Sequence, residues 1–371
     1  MRVYSVSESI VTGLGTSAAA TFNAVLAGQT AVRQYPAGTF SPTPAMVALL
    51  PKVAPVNDFT RFEQWCVTAI EQALQGTAVS LSNPETLLIL STTKGNIELL
   101  EQGEPADSAR LTLYSSAQTI ARHFHAARTP QVISNACISG VMAVLQAQRL
   151  IASGACKHAV VCGADVLSSF VISGFQALNA MSDAECRPFD AARKGINLGE
   201  GVAAVVLTAD KTLAKTAPVA ILGGAISNDA NHISGPSRTG EELAHAVTQT
   251  LQQAQVAATQ LSFISAHGTA TVYNDEMESK AFHLAGLDEV PLHSVKACLG
   301  HTLGAAGVIE LALAMAALRA GVAPGSRNYG SCGTPFAMNI APETRASNQK
   351  FALKTASGFG GCNAALALGI D

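Results

Sequence analysis

Charge is scarce in this 371-residue chain: 13% of residues are Asp, Glu, Lys or Arg, 5% are aromatic, and there is one tryptophan. The formal net charge is −3 and no long basic run occurs. That argues against nucleic acid or an anionic membrane as the main partner. Few aromatics also argue against a base-stacking platform. No C-x-x-C pair exists among Cys66, Cys137, Cys156, Cys162, Cys186, Cys298, Cys332 and Cys362. Structural zinc therefore lacks a framework, and the scattered thiols fit a reducing, cytoplasmic compartment. The opening "MRVYSVSESI" carries no signal-peptide core. The most apolar stretch, "GAAGVIELALAMAALRAG" (304–321), is interrupted by Glu310 and Arg319. It reads as a buried core helix and not as a membrane span.

What is present is apolar: 48% hydrophobic residues, 31 glycines and a mean hydropathy of +0.27. Buried-strand runs are expected at 86–92, 158–165 and 201–209, and helices at 16–27, 58–74, 116–125, 140–153, 240–254 and 304–320. That alternation predicts an α/β fold. The polar "TADKTLAKTAP" (208–218) suggests a junction between two halves, 1–214 and 215–371. The halves echo each other weakly: aligning Gly140 with Gly304 sets Cys137 against His301, each before a long apolar helix. "GLGTSA" (13–18) matches G-x-G-x-x-A, but the next acid is Asp58, too far on for a dinucleotide site. It reads as a tight strand-to-helix turn.

Four stretches carry candidate chemistry. "SNACISG" puts Cys137 at a helix head, where the macrodipole favours a thiolate. Alone, such a cysteine is more often a small buried residue. "SAHGTATVYNDEMESKA" puts His267 in a small, flexible turn. "VKACLGHTLGAAG" places Lys296 at a strand end and His301 shortly after it. "TASGFGGCNAALAL" places Gly358, Phe359, Gly360 and Gly361 before a final strand, where positive φ is expected. Two histidines facing one reacting atom could donate to a developing enolate, a contribution of about 3–4 kcal/mol for one well-placed donor. The N–H of Cys137 and the "GFGG" loop could form a second oxyanion hole. The set suits carbon–carbon bond formation through a thioester.

"NACISG", "RPFDAARKGINLGEG", "AHGTATVYNDEMES", "VKACLGHTLGAAG" and "SGFGGCN" resemble, in order and spacing, the elongating β-ketoacyl-acyl-carrier-protein synthases. The resemblance implies a thiolase-like α/β fold of two similar halves forming a five-layer αβαβα sandwich, normally dimeric. It implies that Cys137 accepts the acyl chain, that His267 and His301 hold the malonyl thioester oxygen, and that Lys296 supports the His301 side. Phe359 matches the gating phenylalanine, beside Gly360, and its N–H would join that of Cys137. Thr269 and Thr271 match pantetheine contacts; Asp275 and Glu278 match acids that order this loop. No cofactor or metal is implied, because substrates ride on the phosphopantetheine of acyl carrier protein. The partner subunit would be a second copy or a ketosynthase-like chain.

The sequence also departs from that pattern. The chain is short for the family, Ser357 replaces a second phenylalanine, and Cys362 replaces a common threonine. Short members resemble those of aryl-polyene or flexirubin-type pigment pathways, with ordinary fatty-acid elongation as the other pathway. Arg193 and Lys194 are docking candidates for an acidic carrier. The rival reading is a non-catalytic chain-length-factor-like subunit; such subunits lose the nucleophile, which is retained here. Thiolases and initiating enzymes use Cys–His–Cys or Cys–His–Asn, and here the last position is His301.

Overall fold

The computed structural model describes all residues except Pro55, Asn57, Lys215 and Asp371. The expected junction at 214/215 therefore falls partly outside the described residues. In the first half the strands are β1 (Val3–Thr12), β2 (Val32–Tyr35), β3 (Ala45–Ala48), β4 (Thr86–Ser91), β5 (Gln131–Ile133), β6 (His158–Asp165), β7 (Leu198–Gly199) and β8 (Gly201–Thr208). The second has β9 (Val219–Asn228), β10 (Leu261–Ser265), β11 (Leu292–His293), β12 (Val322–Ala323), β13 (Arg345–Ala346), β14 (Phe351–Gly358) and β15 (Cys362–Gly369). The helices are α1 (Ala18–Leu26), α2 (Arg61–Leu74), α3 (Leu113–His123), α4 (Ser139–Ala152), α5 (Ser169–Ala177), α6 (Glu241–Ala254), α7 (Val272–Leu284), the single turn α8 (Lys296–Leu299) and α9 (Ala306–Ala320).

The main sheet runs β11-β10-β14-β15-β9-β1-β8-β6-β4-β5. Counted from its own edge, each half has its third, second, fourth, fifth and first strand in that order. In each, the fifth strand runs antiparallel to its neighbours while the second, third and fourth are parallel. The weak sequence echo is thus a repeated topology. The two copies join where β1 pairs with β9, Val3 opposite Ile221. One core gathers α4 and α9 between strands of both halves, including Ile89, Ala203, Phe263 and Leu366. Helices α2 and α3 cover one outer face, and α6 and α7 the other. These are the five layers.

The expected helices lie within about three residues of those observed, and local signals set their ends. Ser17 caps α1 by accepting from Ala20 N, and Thr60 and Glu63 form a capping box on α2. The "GLGTSA" turn enters α1 tightly: a Cβ on Gly15 would lie 2.8 Å from that of Ala20. One reading needs correction: Lys296 opens a helical turn and does not end a strand. Two helices, α5 and α7, were not expected. In α7 the buried set includes Asn274, Asp275 and Glu278, so the apolar stripe that would reveal a helix is broken. The span 303–320 is long and apolar enough to cross a membrane, and 83% of it is buried within the protein.

Helices α4 and α9 cross on glycine. A Cβ on Gly140 would lie 2.6 Å from Val308 N and 2.8 Å from Gly307 Cα. The packing partner of Gly140 is therefore Gly307. Gly140→Ala should lower the unfolding free energy by about 1–3 kcal/mol through overpacking, measured by urea denaturation. An unchanged midpoint would show that the crossing relaxes freely.

Candidate active site

Cys137 lies on the turn from β5 into α4. The preceding Ala136 holds φ at 43°, a strained value for a residue with a Cβ. Ser139 fixes that turn: its Oγ donates to Ala136 O at 2.6 Å and accepts from Asn135 N at 2.7 Å. His301 follows Gly300, whose φ is 69°, and its N donates to Asn197 O at 2.7 Å. The result places His301 Nε2 3.0 Å from Cys137 Sγ. His267 emerges from β10, and its ring meets that of His301 edge-on, centroids 5.2 Å apart at 85°. One ligand-type atom from each of the three residues lies within 4.8 Å of the others.

Lys296 is fully buried. Its Nζ donates to His267 O at 2.5 Å and to Glu310 Oε1 at 2.7 Å. Its hydrogen bond supports the backbone of His267, and its charge also acts on His301. A cavity of about 450 Å³ is lined by Cys137, His267, His301, Thr269, Thr271 and Phe359, among others.

Residues 58–213 match the family "Beta-ketoacyl synthase, N-terminal domain", and residues 219–330 match "Beta-ketoacyl synthase, C-terminal domain". The chain is 30% identical over 326 residues to a putative polyketide β-ketoacyl synthase 1 of Streptomyces halstedii, covering 84% of this chain and 77% of that one. The chain belongs to the β-ketoacyl synthase family. A β-ketoacyl synthase structure from Burkholderia phymatum STM815 superposes with a TM-score of 0.89 at 26% identity, covering 100% of this chain and 99% of that one. The ishigamide ketosynthase/chain length factor gives 0.88 at 25%, covering 99% and 98%. Two further relatives are matched over only 59% and 60% of their length.

In this ketosynthase-family chain the two threonine hydroxyls, Thr269 and Thr271, stand 2.9 Å apart on the cavity wall. Asp275 and Glu278 belong to α7, not to the loop itself, and act on it through backbone donors. Asp275 accepts from Phe189 N at 2.7 Å and Thr269 N at 3.0 Å. Glu278 accepts from His267 N at 2.8 Å and Gly268 N at 2.6 Å. Phe359 is 39% exposed and stacks on Phe175, centroids 5.7 Å apart. Gly360 takes φ 87° and donates its N–H to Ile233 O at 2.8 Å. A Cβ at Gly358 would crowd Cys137 N at 3.0 Å. The two departures have partners: Ser357 Oγ donates to Asn363 Oδ1 at 2.7 Å, and Cys362 Sγ donates to Phe359 O at 3.3 Å.

Arg193 is not free to dock a carrier. Its guanidinium is 5% exposed and donates to the carbonyls of Asp190 and Gly333. Lys194 is exposed at the cavity mouth.

Burial pushes the Cys137 thiol up to about 12, against a downward pull from Lys296. Burial thus favours the neutral thiol near pH 7. Burial, reinforced by Lys296, takes His301 down to about 3, and His267 falls well below its ordinary value for the same two reasons. Both imidazoles are neutral near pH 7, so His301 Nε2, 3.0 Å from the sulfur, is placed to receive the Cys137 proton should that thiol ionise. Cys137, His267 and His301 are also spaced as a metal tripod would be. An ion there would require the buried Cys137 thiol, pushed up to about 12, to lose its proton.

Three buried charges of this region were given no place in the site by the sequence. Glu310 on α9 bonds both Lys296 and Lys354. Asp165 accepts from Thr92 Oγ1 at 2.7 Å and Gly304 N at 2.6 Å, tying β6 to the turn after His301. Each is a single charge inside or ending an apolar run ("GVIELAL", "FALKTA", "VVCGAD"), and that was the available signal.

Proposed function

We propose that the chain is a decarboxylating condensing enzyme, a β-ketoacyl-acyl-carrier-protein synthase. The observation that carries this is the 3.0 Å contact of His301 Nε2 with Cys137 Sγ beside His267, at the foot of a cavity. Cys137 Sγ attacks the acyl thioester, its proton leaves toward His301, and the pantetheine thiol departs. Malonyl thioester then binds, and His267 and His301 donate to its thioester oxygen as carbon dioxide leaves. The resulting enolate carbon attacks the acyl carbon on Cys137, the carbon–sulfur bond breaks, and the released Cys137 thiolate takes a proton from water to regenerate the thiol. The N–H groups of Cys137 and Phe359 hold the acyl oxygen, and Phe359 gates the cavity. Thr269 and Thr271 contact the pantetheine arm, while Asp275 and Glu278 hold the His267 loop.

The reading needs no cofactor, since acyl and malonyl groups arrive on acyl carrier protein. The enzyme works in the cytoplasm as a dimer, in a fatty-acid or aryl-polyene-like pathway. Its partner is a second copy or, as in the ishigamide ketosynthase/chain length factor, a companion subunit. The halves divide at 214/215. A non-catalytic role is the weaker reading, because the nucleophile and both imidazoles are assembled. Mass spectrometry after incubation with acyl-carrier proteins bearing short, long, branched and aryl chains should find an acyl adduct on the peptide containing Cys137. No adduct with any of them would sink the reading.

A further inference from the structure

Lys354 takes no part in the chemistry above, yet it is fully buried in the middle of β14. Strand register sets it beside Ser265, the last residue of β10, two positions before His267. Its Nζ donates to Ser265 O at 3.2 Å, to Ala266 O at 3.3 Å and to Glu310 Oε2. Glu310 is therefore shared: Lys296 holds one carboxylate oxygen and Lys354 the other.

The charges around His267 show what the second lysine does. Lys296 and Lys354 face Glu310, and Glu278 lies close to both lysines while accepting from the His267 N–H. Two cations balance two carboxylates. Asp275 is set apart from this account, since Arg193 faces it. Without Lys354, Lys296 alone would stand against Glu310 and Glu278. A net negative charge would then sit, buried, beside a centre that must stabilise an anion, where low dielectric makes it count most. A fully buried lysine also has a desolvation cost, so an apolar residue would be the easier choice for this strand position.

We propose that Lys354 is a positioning residue of the condensing site: by taking half of Glu310, it leaves Lys296 on the His267 carbonyl and keeps the enolate site from becoming net negative. This rests on the condensing-enzyme reading. Lys354→Met removes the charge and leaves Lys296–Glu310 as a pair. Lys354→Gln keeps a donor for the Ser265 and Ala266 carbonyls without the charge. Release of carbon dioxide from malonyl-carrier protein and acylation of Cys137 are measured in parallel for the parent and both variants.

The expected result is about a 10-fold or larger fall in kcat for decarboxylation in both variants. The malonyl-carrier KM and the Cys137 acylation rate should stay within about twofold of the parent. Three results would overturn the inference: an unchanged kcat in Lys354→Met, a parental rate restored by Lys354→Gln, or a fall shared equally by both half-reactions. Variants unfolded at the assay temperature also count against it, because they mark a lysine that serves only the scaffold. A parent that releases no carbon dioxide at all would instead refute the underlying functional reading.

Discussion

Cys137→Ala is expected to lower condensation by at least about 10³-fold while carbon dioxide release from malonyl-carrier protein remains measurable. His267→Ala and His301→Ala should do the opposite to the second half-reaction, each lowering decarboxylation by about 10²–10³-fold. The difference follows from position. The sulfur is the only one of the three atoms that must bond the acyl carbon. The imidazoles face the same space without needing to bond anything. The two histidines should also differ from each other. His301 Nε2 is 3.0 Å from the thiol, so His301→Ala should slow Cys137 acylation as well, whereas His267→Ala should leave it nearly parental. Radiolabelled carbon dioxide release and adduct mass spectrometry separate the two steps. If both histidine variants decarboxylated at the parental rate, the roles assigned to them would be wrong.

The pH dependence has a definite sign. Folded His301 is held down at about 3 and His267 well below its usual value, so protonation of either begins only far below neutrality. Decarboxylation should be flat with respect to these groups from pH 6 to 8. An inflection near 6.5 that disappears in His267→Ala would show an imidazole that titrates as if solvated.

The candidate site residues were legible because glycines, small residues and a cysteine cluster in the turns that precede helices, where positive φ and close approach both select glycine. Gly268 and Gly300, both at positive φ, are of this kind. The fold class followed from the alternation of apolar runs, and the duplication was faintly visible through Cys137 and His301. Residues that act through other residues were hidden. Lys354 and Glu310 have no neighbours in sequence that explain them; a strand pairing and a helix packed behind it bring them together. The same holds for α7, where Asp275 and Glu278 point inward to backbone N–H groups and erase the pattern that marks a helix. Arg193 read as a surface cation because one of its two carbonyl partners, Gly333, lies 140 residues away in sequence, while the other, Asp190, is in its own turn.

Glu310→Gln should cost about 3–5 kcal/mol of stability, since it leaves two buried ammonium groups facing the single carboxylate of Glu278. The carboxylate's own ionisation points the same way. Burial would raise Glu310, yet Lys296 and Lys354 hold it down to about 2 from an ordinary 4.5. A carboxylate depressed on folding contributes stability that is complete above its unfolded value and is lost as pH falls through the folded one. The shift corresponds to about 3 kcal/mol, present across pH 5–8 and lost toward pH 2. Urea denaturation at pH 7 should therefore show a large drop in midpoint with an unchanged slope. Adding Lys354→Met to Glu310→Gln removes one of the two stranded cations, so the double variant should recover about 1–3 kcal/mol relative to the single one. That recovery distinguishes charge from packing: a Gln that merely fitted badly against α9 would not be helped by deleting a lysine on β14. A loss below about 1 kcal/mol for Glu310→Gln would mean that water or a proton reaches the two lysines, and that the triad is not sealed.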